Sequence, residues 1–384
     1  MDSAPQDKFQ IQFRTSLQDV SASDWNRLTD ADHPFLDYEF LATLENTGCI
    51  GKNTSWLPYY LLCFDKDHLI GAIPSYIRLD SDGEFIFDYA WADFYNRTGR
   101  NYYPKGVVAA PFTPATGQRL LVAPDYEFEL IATLMIQALI NDTQKKGLSS
   151  IHILFPTKKE HDLLVRLGFL SRVTYQFHWE NKSYTQFDDY LAALHSQKRK
   201  NIKKERRLIS ELPLTILTVT GDEITQEHID AMWAFYHHTH SRKWGRPYLN
   251  KAWFDEVFIT MKHALVLILA HNGNEWVGGS FNFYKNQHLY GRYWGCNQFI
   301  PNLHFECCFY QLIEFAIKHN ITLFEAGAQG EQKFLRGFNA APTYSAHWFF
   351  DPAARDAIEG YLEQERAAIK DTITAYNDLS PLKK

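Results

Sequence analysis

Between residues 304 and 336 the chain sets His304, Glu306, Glu325, Gln329, Lys333 and Arg336 around short apolar stretches. A carboxylate or imidazole held near an attacking group can take its proton. A Lys and an Arg three positions apart share one side of a helix and can hold an anion. The chemical reading is that Glu325, His304 or Glu306 acts as general base. Lys333 and Arg336 then hold the anionic part of a substrate, and Gln329 contributes from the loop bounded by Gly327 and Gly330. A structural reading stands beside it. A first-turn glutamate is favoured by the helix dipole in any case, His304 with Gln311 and Lys318 marks a polar helix face, and Lys333 with Arg336 is what a solvated face looks like. His304-x-Glu306 is too short for a zinc signature and has no evident third ligand, so no metal is expected.

Three further clusters mix rings with cations, a combination suited to sugars, peptides or carboxylates. Tyr103, Lys105 and Arg119 lie in a proline-punctuated stretch with Trp91, Tyr95 and Tyr102; Pro104, Pro111 and Pro114 suggest a rigid loop. Trp244, Arg246 and Tyr248 lie in RKWGRPYLN, and Arg292, Tyr293 and Trp294 in the strand-like LYGRYWG. Each could equally be packing with incidental charge. A fourth cluster is purely basic: seven of the ten residues Lys198–Arg207 are Lys or Arg and one is acidic. It reads as a solvated linking helix, as a contact for an acidic substrate or phosphate, or as an RNA contact such as tRNA. The last would weaken steeply with salt.

The elements that must position these residues occur twice. Leu61–Tyr76 and Leu267–Tyr284 both read strand, polar turn, strand, with Gly71 and Gly278 at matching places in the second strand. Asn272-Gly273 is a strong hairpin dipeptide. Each half then continues with a helix, a strand, a short helix and a Gly-Phe pair. The first-half helix is Tyr126–Lys146, expected to be capped by Asp125 and ended by Gly147. Its counterpart is Leu303–His319, expected to be capped by Asn302. Strands Ile151–Phe155 and Ile321–Glu325 follow, and the pairs are Gly168-Phe169 and Gly337-Phe338. From strand start to Gly-Phe is 17 positions in one half and 16 in the other. The first half is longer overall, which places an insertion at about 85–124. A C-terminal helix over 351–376 opens at Asp351-Pro352.

At 384 residues, with 45% hydrophobic and 22% charged residues, the chain has material for about two domains. A net charge of −6 excludes a generic nucleic-acid binder, leaving only a local patch. The N-terminus carries no basic and apolar signal pattern, and no run approaches the ~18 apolar residues of a membrane span. Five cysteines at irregular spacing point to reduced thiols in the cytoplasm.

The motifs YYPKGVVAAPFTP (102–114), SQKRKNIKKERR (196–207), RKWGRPYLN (242–250) and HFECCFYQ…FEAGAQGEQKFLRGF (304–338) resemble those of the FemAB-like proteins. These are labelled peptidoglycan biosynthesis/recognition, within the wider GNAT acyltransferase superfamily, and the likeness runs from about residue 10 to 355. It implies an α/β fold of two tandem GNAT-like domains, mixed sheets flanked by helices. The expected domains are 1–190, with the insertion, and 191–384, with a basic linker helix over 195–210 and the C-terminal helix. The resemblance implies an N-acyl or Fem-type aminoacyl transfer to an amine, with an envelope or peptidoglycan precursor as one acceptor class. The alternative is a recognition module on a non-catalytic transferase fold. The donor is left open between acyl-CoA and an aminoacyl-tRNA. Acetyl-CoA users of the superfamily usually carry [Gln/Arg]-x-x-Gly-x-[Gly/Ala] after the fourth strand; here Gly295–Asn302 has no glycine after Gln298, and Thr116–Arg119 does not match either.

Overall fold

Alternating apolar runs become strands in the computed structural model, which describes residues 8–242, 247–327 and 330–383. In chain order they are β1 (Phe9–Arg14), β2 (Trp56–Pro58), β3 (Tyr60–Asp65), β4 (His68–Ile73), β5 (Ser75–Arg78), β6 (Lys105–Val108), β7 (Leu121–Val122), β8 (Ser150–Leu154), β9 (Leu170–Glu180), β10 (Thr215–Thr220), β11 (Leu265–His271), β12 (Trp276–Lys285), β13 (His288–Cys296), β14 (Leu323–Glu325) and β15 (Asn339–Phe349). The chain divides into two units, Met1–Thr174 with Pro342–Lys370, and Tyr175–Ala341 with Asp371–Lys384. This differs from a division at 190/191. β9 starts in the first unit and ends in the second, β15 does the reverse, and the helix Pro352–Asp378 counts with the first unit as far as Lys370.

The repeat is visible strand by strand. β3 and β4 form an antiparallel hairpin whose register slips between Cys63 and Phe64, so that Ile70, beside Gly71, is the extra residue. β11 and β12 slip between Ala270 and His271, and Val277, beside Gly278, is the extra residue. Two bulges next to two matched glycines are what one duplicated hairpin would leave. Each unit also has one parallel pair formed around a helix, β6 with β8 and β13 with β14. The two repeats part at Pro74. β12 runs unbroken and pairs on both sides, whereas in the first unit Pro74, which has no N–H to give a ladder, separates β4 from β5. β4 then joins β1, β3 and β7, while β5 joins β2 and β6. The extra chain of the first unit is also divided. One part, with the helix Tyr89–Arg97, lies between β5 and β6, where β12 and β13 are joined by Asn286 and Gln287 alone; the rest follows β6. The stretch expected as a single rigid loop thus contains a helix and two strands.

In the second unit the sheet order is β10–β11–β12–β13–β14–β9. Helices Gln226–Arg242 and Lys251–Thr260 cover one face, where Phe281 meets Trp253, Phe254 and Phe258 and Tyr293 meets Tyr236. The helix spanning 303–318 covers the other, where Tyr284 meets Phe315. Helix starts differ from expectation at two places. Glu127, not Asp125, caps the helix Phe128–Lys145, and Asn302 adopts φ 69° with no side-chain cap. Among the described residues no helix is long and apolar enough to cross a membrane.

Candidate functional site

The expected site forms where the parallel pair of the second unit ends. Tyr290 of β13 lies opposite Glu325 of β14, and Glu325 lies opposite His178 of β9. Because side chains alternate along a strand, the row one residue back faces the other way. Leu289, Phe324 and Trp179 are buried in the core with Leu303, Cys307, Leu312 and Ile313 of the 303–318 helix. The polar row Tyr290–Glu325–His178 therefore points away from that helix. β14 stops at Glu325, β13 continues to Cys296, and the strands part. Gly291 and Gly327 line the parting: a Cβ at Gly291 would meet Ala326 at 3.4 Å, and Gly327 has φ 82°, a conformation open to glycine at little cost.

Glu325 is 4% exposed, and its Oε2 lies 3.8 Å from Nε2 of His178. Lys333 sits on the 3-10 turn Glu331–Arg336, 5% exposed, and donates to the Gly327 carbonyl at 2.5 Å. That is its one hydrogen bond to a described residue, so of the three donors of the ammonium two have no partner among the described residues. Burial pushes the Lys333 ammonium down to about 8, with the Cys308 thiol acting in the other direction. Its charge is felt by two imidazoles. Burial first, then Lys333 and His288, push His178 down to about 4. Burial first, then Arg336 and Lys333, push His304 down to about 4. His304 is half-buried among Trp294, Phe305 and Phe309. Both rings are thus neutral at physiological pH within the field of the buried Lys333, and His178 also lies near the buried Glu325.

Other members of the expected set are drawn elsewhere. Arg336 is 3% exposed; it donates to Tyr310 Oη at 2.8 Å, to the Gln332 carbonyl at 2.9 Å and to Glu205 at 2.8 Å, and lies 3.5 Å over the Phe305 ring. Glu306 accepts from Arg206 at 3.0 to 3.3 Å and from Gln311 at 2.7 Å. These two are scaffold, because every charge in them is matched inside the fold. Glu306–Tyr310 is a π-helical segment: the Gln311 N–H bonds the Glu306 carbonyl five residues back, and the Cys307 carbonyl receives the Ser280 hydroxyl at 2.9 Å. π segments recur at functional sites.

The remaining clusters resolve as follows. Arg292 is the bulged residue of β13, since Phe281 pairs with Tyr293 and Asn282 with Gly291. Its guanidinium lies 5.3 Å from the Tyr293 ring, and Trp294 packs on His304. Tyr248 anchors its N–H on the Tyr236 hydroxyl at 3.0 Å. Trp244, Arg246 and Gln329 lie outside the described residues. In the first unit the expected substrate contacts are internal. Lys105 is fully buried with Glu84, Asp88 and Ser81, and Tyr103 bonds Ser81 at 2.7 Å. Arg119, also fully buried, donates to the carbonyls of Ala115, Gln118 and Leu154. Neither cation is placed to meet a ligand. Sequence reasoning missed His178; its signal was the alternation of QFHWE, which puts Gln176 and His178 on the face opposite Phe177 and Trp179.

A family model described as FemAB-like, peptidoglycan biosynthesis/recognition, matches residues 16–384. None of the curated proteins matches the chain by sequence. Among solved structures, FemX superposes with a TM-score of 0.52 at 10% identity, covering 88% of this chain and 98% of its own. L-PGS from Bacillus licheniformis gives 0.51 at 11% identity, covering 83% and 93%. A tandem GNAT protein from the clavulanic acid biosynthesis pathway gives 0.48 at 9%, covering 90% and 99%. With two bulged hairpins, two parallel pairs and the family pattern running over nearly its whole length, the chain has the tandem GNAT-like fold and belongs to the FemAB-like family.

Proposed function

We propose that the chain is an N-acyltransferase or Fem-type aminoacyltransferase that acts on an amine, with a peptidoglycan or other envelope precursor as acceptor. The observation that carries the reading is Lys333, a buried cation whose charge is felt at His178, which lies 3.8 Å from the buried Glu325 where β13 and β14 part. In this reading Glu325 takes a proton from the attacking amine, and Lys333 holds the oxyanion of the tetrahedral intermediate. Preorganised donors of that kind are worth 10²- to 10³-fold in rate. His304, neutral and edge-on to Trp294, shapes the wall. Arg292, Tyr293, Trp294 and Tyr248 supply substrate contacts around the parting, with Trp244, Arg246 and Gln329 as further candidates.

The donor is an acyl-CoA or an aminoacyl-tRNA. The glycine-poor stretch 297–302 gives little support to pyrophosphate wrapping. In the helix Ser196–Ser210, Lys200, Lys204 and Arg207 are exposed while Arg206 is tied to Glu306 and Glu314, which leaves a smaller basic patch for tRNA than composition suggests. Five free thiols support a cytoplasmic setting. The test is a screen of acyl-CoAs and charged tRNAs with amine acceptors. Turnover is expected in the wild type and lost in Glu325→Gln and Lys333→Ala at undiminished melting temperature; loss through unfolding would remove the assignment. One observation favours the alternative, a recognition module: four of the expected polar contacts, Glu306, Arg336, Lys105 and Arg119, are scaffold. Peptide binding without donor consumption would decide for it.

A further inference from the structure

β10 ends the strand order of the second unit, and among the described residues no strand pairs with its outer side. Which of its backbone groups face outward follows from the ladder. Directly after β11, Asn272 gives its N–H to the Glu275 carbonyl at 3.1 Å. Backbone groups alternate along an antiparallel strand, so Val266, Ile268 and Ala270 turn theirs toward β12, and Leu267, Leu269 and His271 turn theirs toward β10. The β10 partners of that second set are Val219, Leu217 and Thr215, which leaves Ile216 and Thr218 facing out. The outward row is closed at both ends. The Leu214 N–H goes to the Leu212 carbonyl at 2.7 Å, and the Thr220 N–H to the Glu223 carboxylate at 3.2 Å. Between them, the N–H and C=O groups of Ile216 and Thr218 have no hydrogen-bond partner among the described residues. The open groups are thus two donors and two acceptors, placed symmetrically about Leu217.

We propose that this edge pairs with the same edge of a second copy of the chain, antiparallel and about a two-fold axis beside Leu217. Ile216 of each copy then exchanges both backbone bonds with Thr218 of the other. The Leu217 side chains, 37% exposed, meet across the axis as the close, non-bonded pair. Leu214 and Thr220, already closed, fall opposite one another. An unrelated peptide has no reason to match that symmetry. Composition agrees. Uncovered edges are normally blunted by charge, proline, bulge or shortness. The end strand of the first unit, β2, has three residues and finishes in Pro58. β10 has six, TILTVT, with no charge and no register slip. The flanking charges are complementary too. Arg207 and Glu211 lie before the strand, 3.5 Å apart. Glu223 lies after it, with Asp222 and Lys262, which are 2.9 Å apart. Antiparallel pairing brings start to end, which sets Arg207 against the second copy's Asp222 and Glu223, and Lys262 against its Glu211. A two-fold contact uses each edge once and closes, so the product is a dimer and not a filament. Neither the pairing nor its test depends on the transfer reaction.

The experiment uses the full chain between about 1 and 100 μM. Sedimentation velocity should show a dimer that dissociates on dilution. Hydrogen exchange read by mass spectrometry should show the Ile216 and Thr218 amides gaining protection as concentration rises, with Leu217 and Val219 protected throughout. Thr218→Pro removes one outward donor without touching the β11 ladder, and Leu217→Lys sets two like charges face to face. Each should weaken the dimer about tenfold or more at an unchanged circular dichroism spectrum. A chain that stays monomeric over this range, with both amides exchanging as open ones do, overturns the pairing. A dimer that both variants leave intact overturns it as well, because the contact is then on another surface. Protection of the two amides at monomer mass by a co-purifying peptide does the same and gives the edge to a foreign strand. Should either variant fail to fold, the concentration dependence of Ile216 and Thr218 exchange in the wild type still decides.

Discussion

Lys333 is held below its ordinary ionisation range by its own burial. A lysine depressed from 10.5 to about 8 destabilises the fold at every pH below that value. Stability on this account is fully present above pH 10.5 and lost as pH falls toward 8. At 1.36 kcal/mol per unit, Lys333→Met should stabilise the protein by ~3 kcal/mol while removing ~10²-fold or more of the transfer rate. Urea denaturation of the wild type between pH 8 and 10 gives the companion check, a midpoint that rises with pH. A variant less stable than the wild type would mean that the Gly327 contact outweighs the buried charge. Arg336 should behave in the opposite way. Its charge is matched by Glu205, so Arg336→Met leaves a carboxylate without its partner and should cost ~3–5 kcal/mol. The two cations look alike in the sequence and lie three apart on one turn. What separates them is Glu205, 131 positions away from Arg336, and no local pattern announces such a partner. Lys105 and Arg119, which the sequence left open between substrate contact and packing, turn on the same kind of cause: Glu84 and Asp88 take up Lys105, and backbone carbonyls take up Arg119.

At the scale of elements, legibility followed the range of the cause. The hairpin at Asn272-Gly273, the basic helix and the Gly337 end are local, and the residues that make them are adjacent. Gly71 and Gly278 could be matched by eye because a bulge beside a glycine is also a local event. The π segment was out of reach. Glu306–Tyr310 reads as ordinary helix, and the register changes where Ser280, 27 residues earlier, gives its hydroxyl to the Cys307 carbonyl. Ser280 is 1% exposed, so water does not replace it. Ser280→Ala should therefore cost ~1–3 kcal/mol, measured by chemical denaturation. Because the segment continues directly from the turn Leu303–Phe305 that carries His304, the same variant should shift the His304 imidazole resonance in NMR. An unchanged resonance would mean that the helix keeps its register without the serine. Asn302 shows the converse error, an asparagine expected to cap through its side chain that instead uses its tolerance for positive φ.

Considered over the whole chain, buried imidazoles predict how the protein meets acid. In the first unit His152 and His347 are fully buried, and their Nδ1 atoms lie 2.8 Å apart. One donates and the other accepts, so the pair holds a single proton on that line, and a second would set two N–H groups head to head. Ser150, Tyr102 and Ser345 take the outer nitrogens. The charged groups nearby are Lys105, Arg172 and Asp88. Burial and the two cations hold both rings far below the usual imidazole range, with Asp88 opposing at His347. In the second unit His178 and His304 are held at about 4. Unfolded, all four rings bind protons near 6.5 that the native state refuses. Their contribution is therefore intact above that pH and is lost as pH falls toward the folded values, at up to ~1.4 kcal/mol per pH unit for each ring. Denaturant midpoints should accordingly drop from pH 7 to pH 5. Replacing His152 and His347 together by Gln should flatten that slope at neutral-pH stability lower than wild type, whereas His178→Gln should flatten it without touching the first unit's contacts. A midpoint independent of pH over this interval would mean that the buried rings accept protons in place, and with that the neutral state of His178 and His304 beside the Lys333 charge would be lost as well.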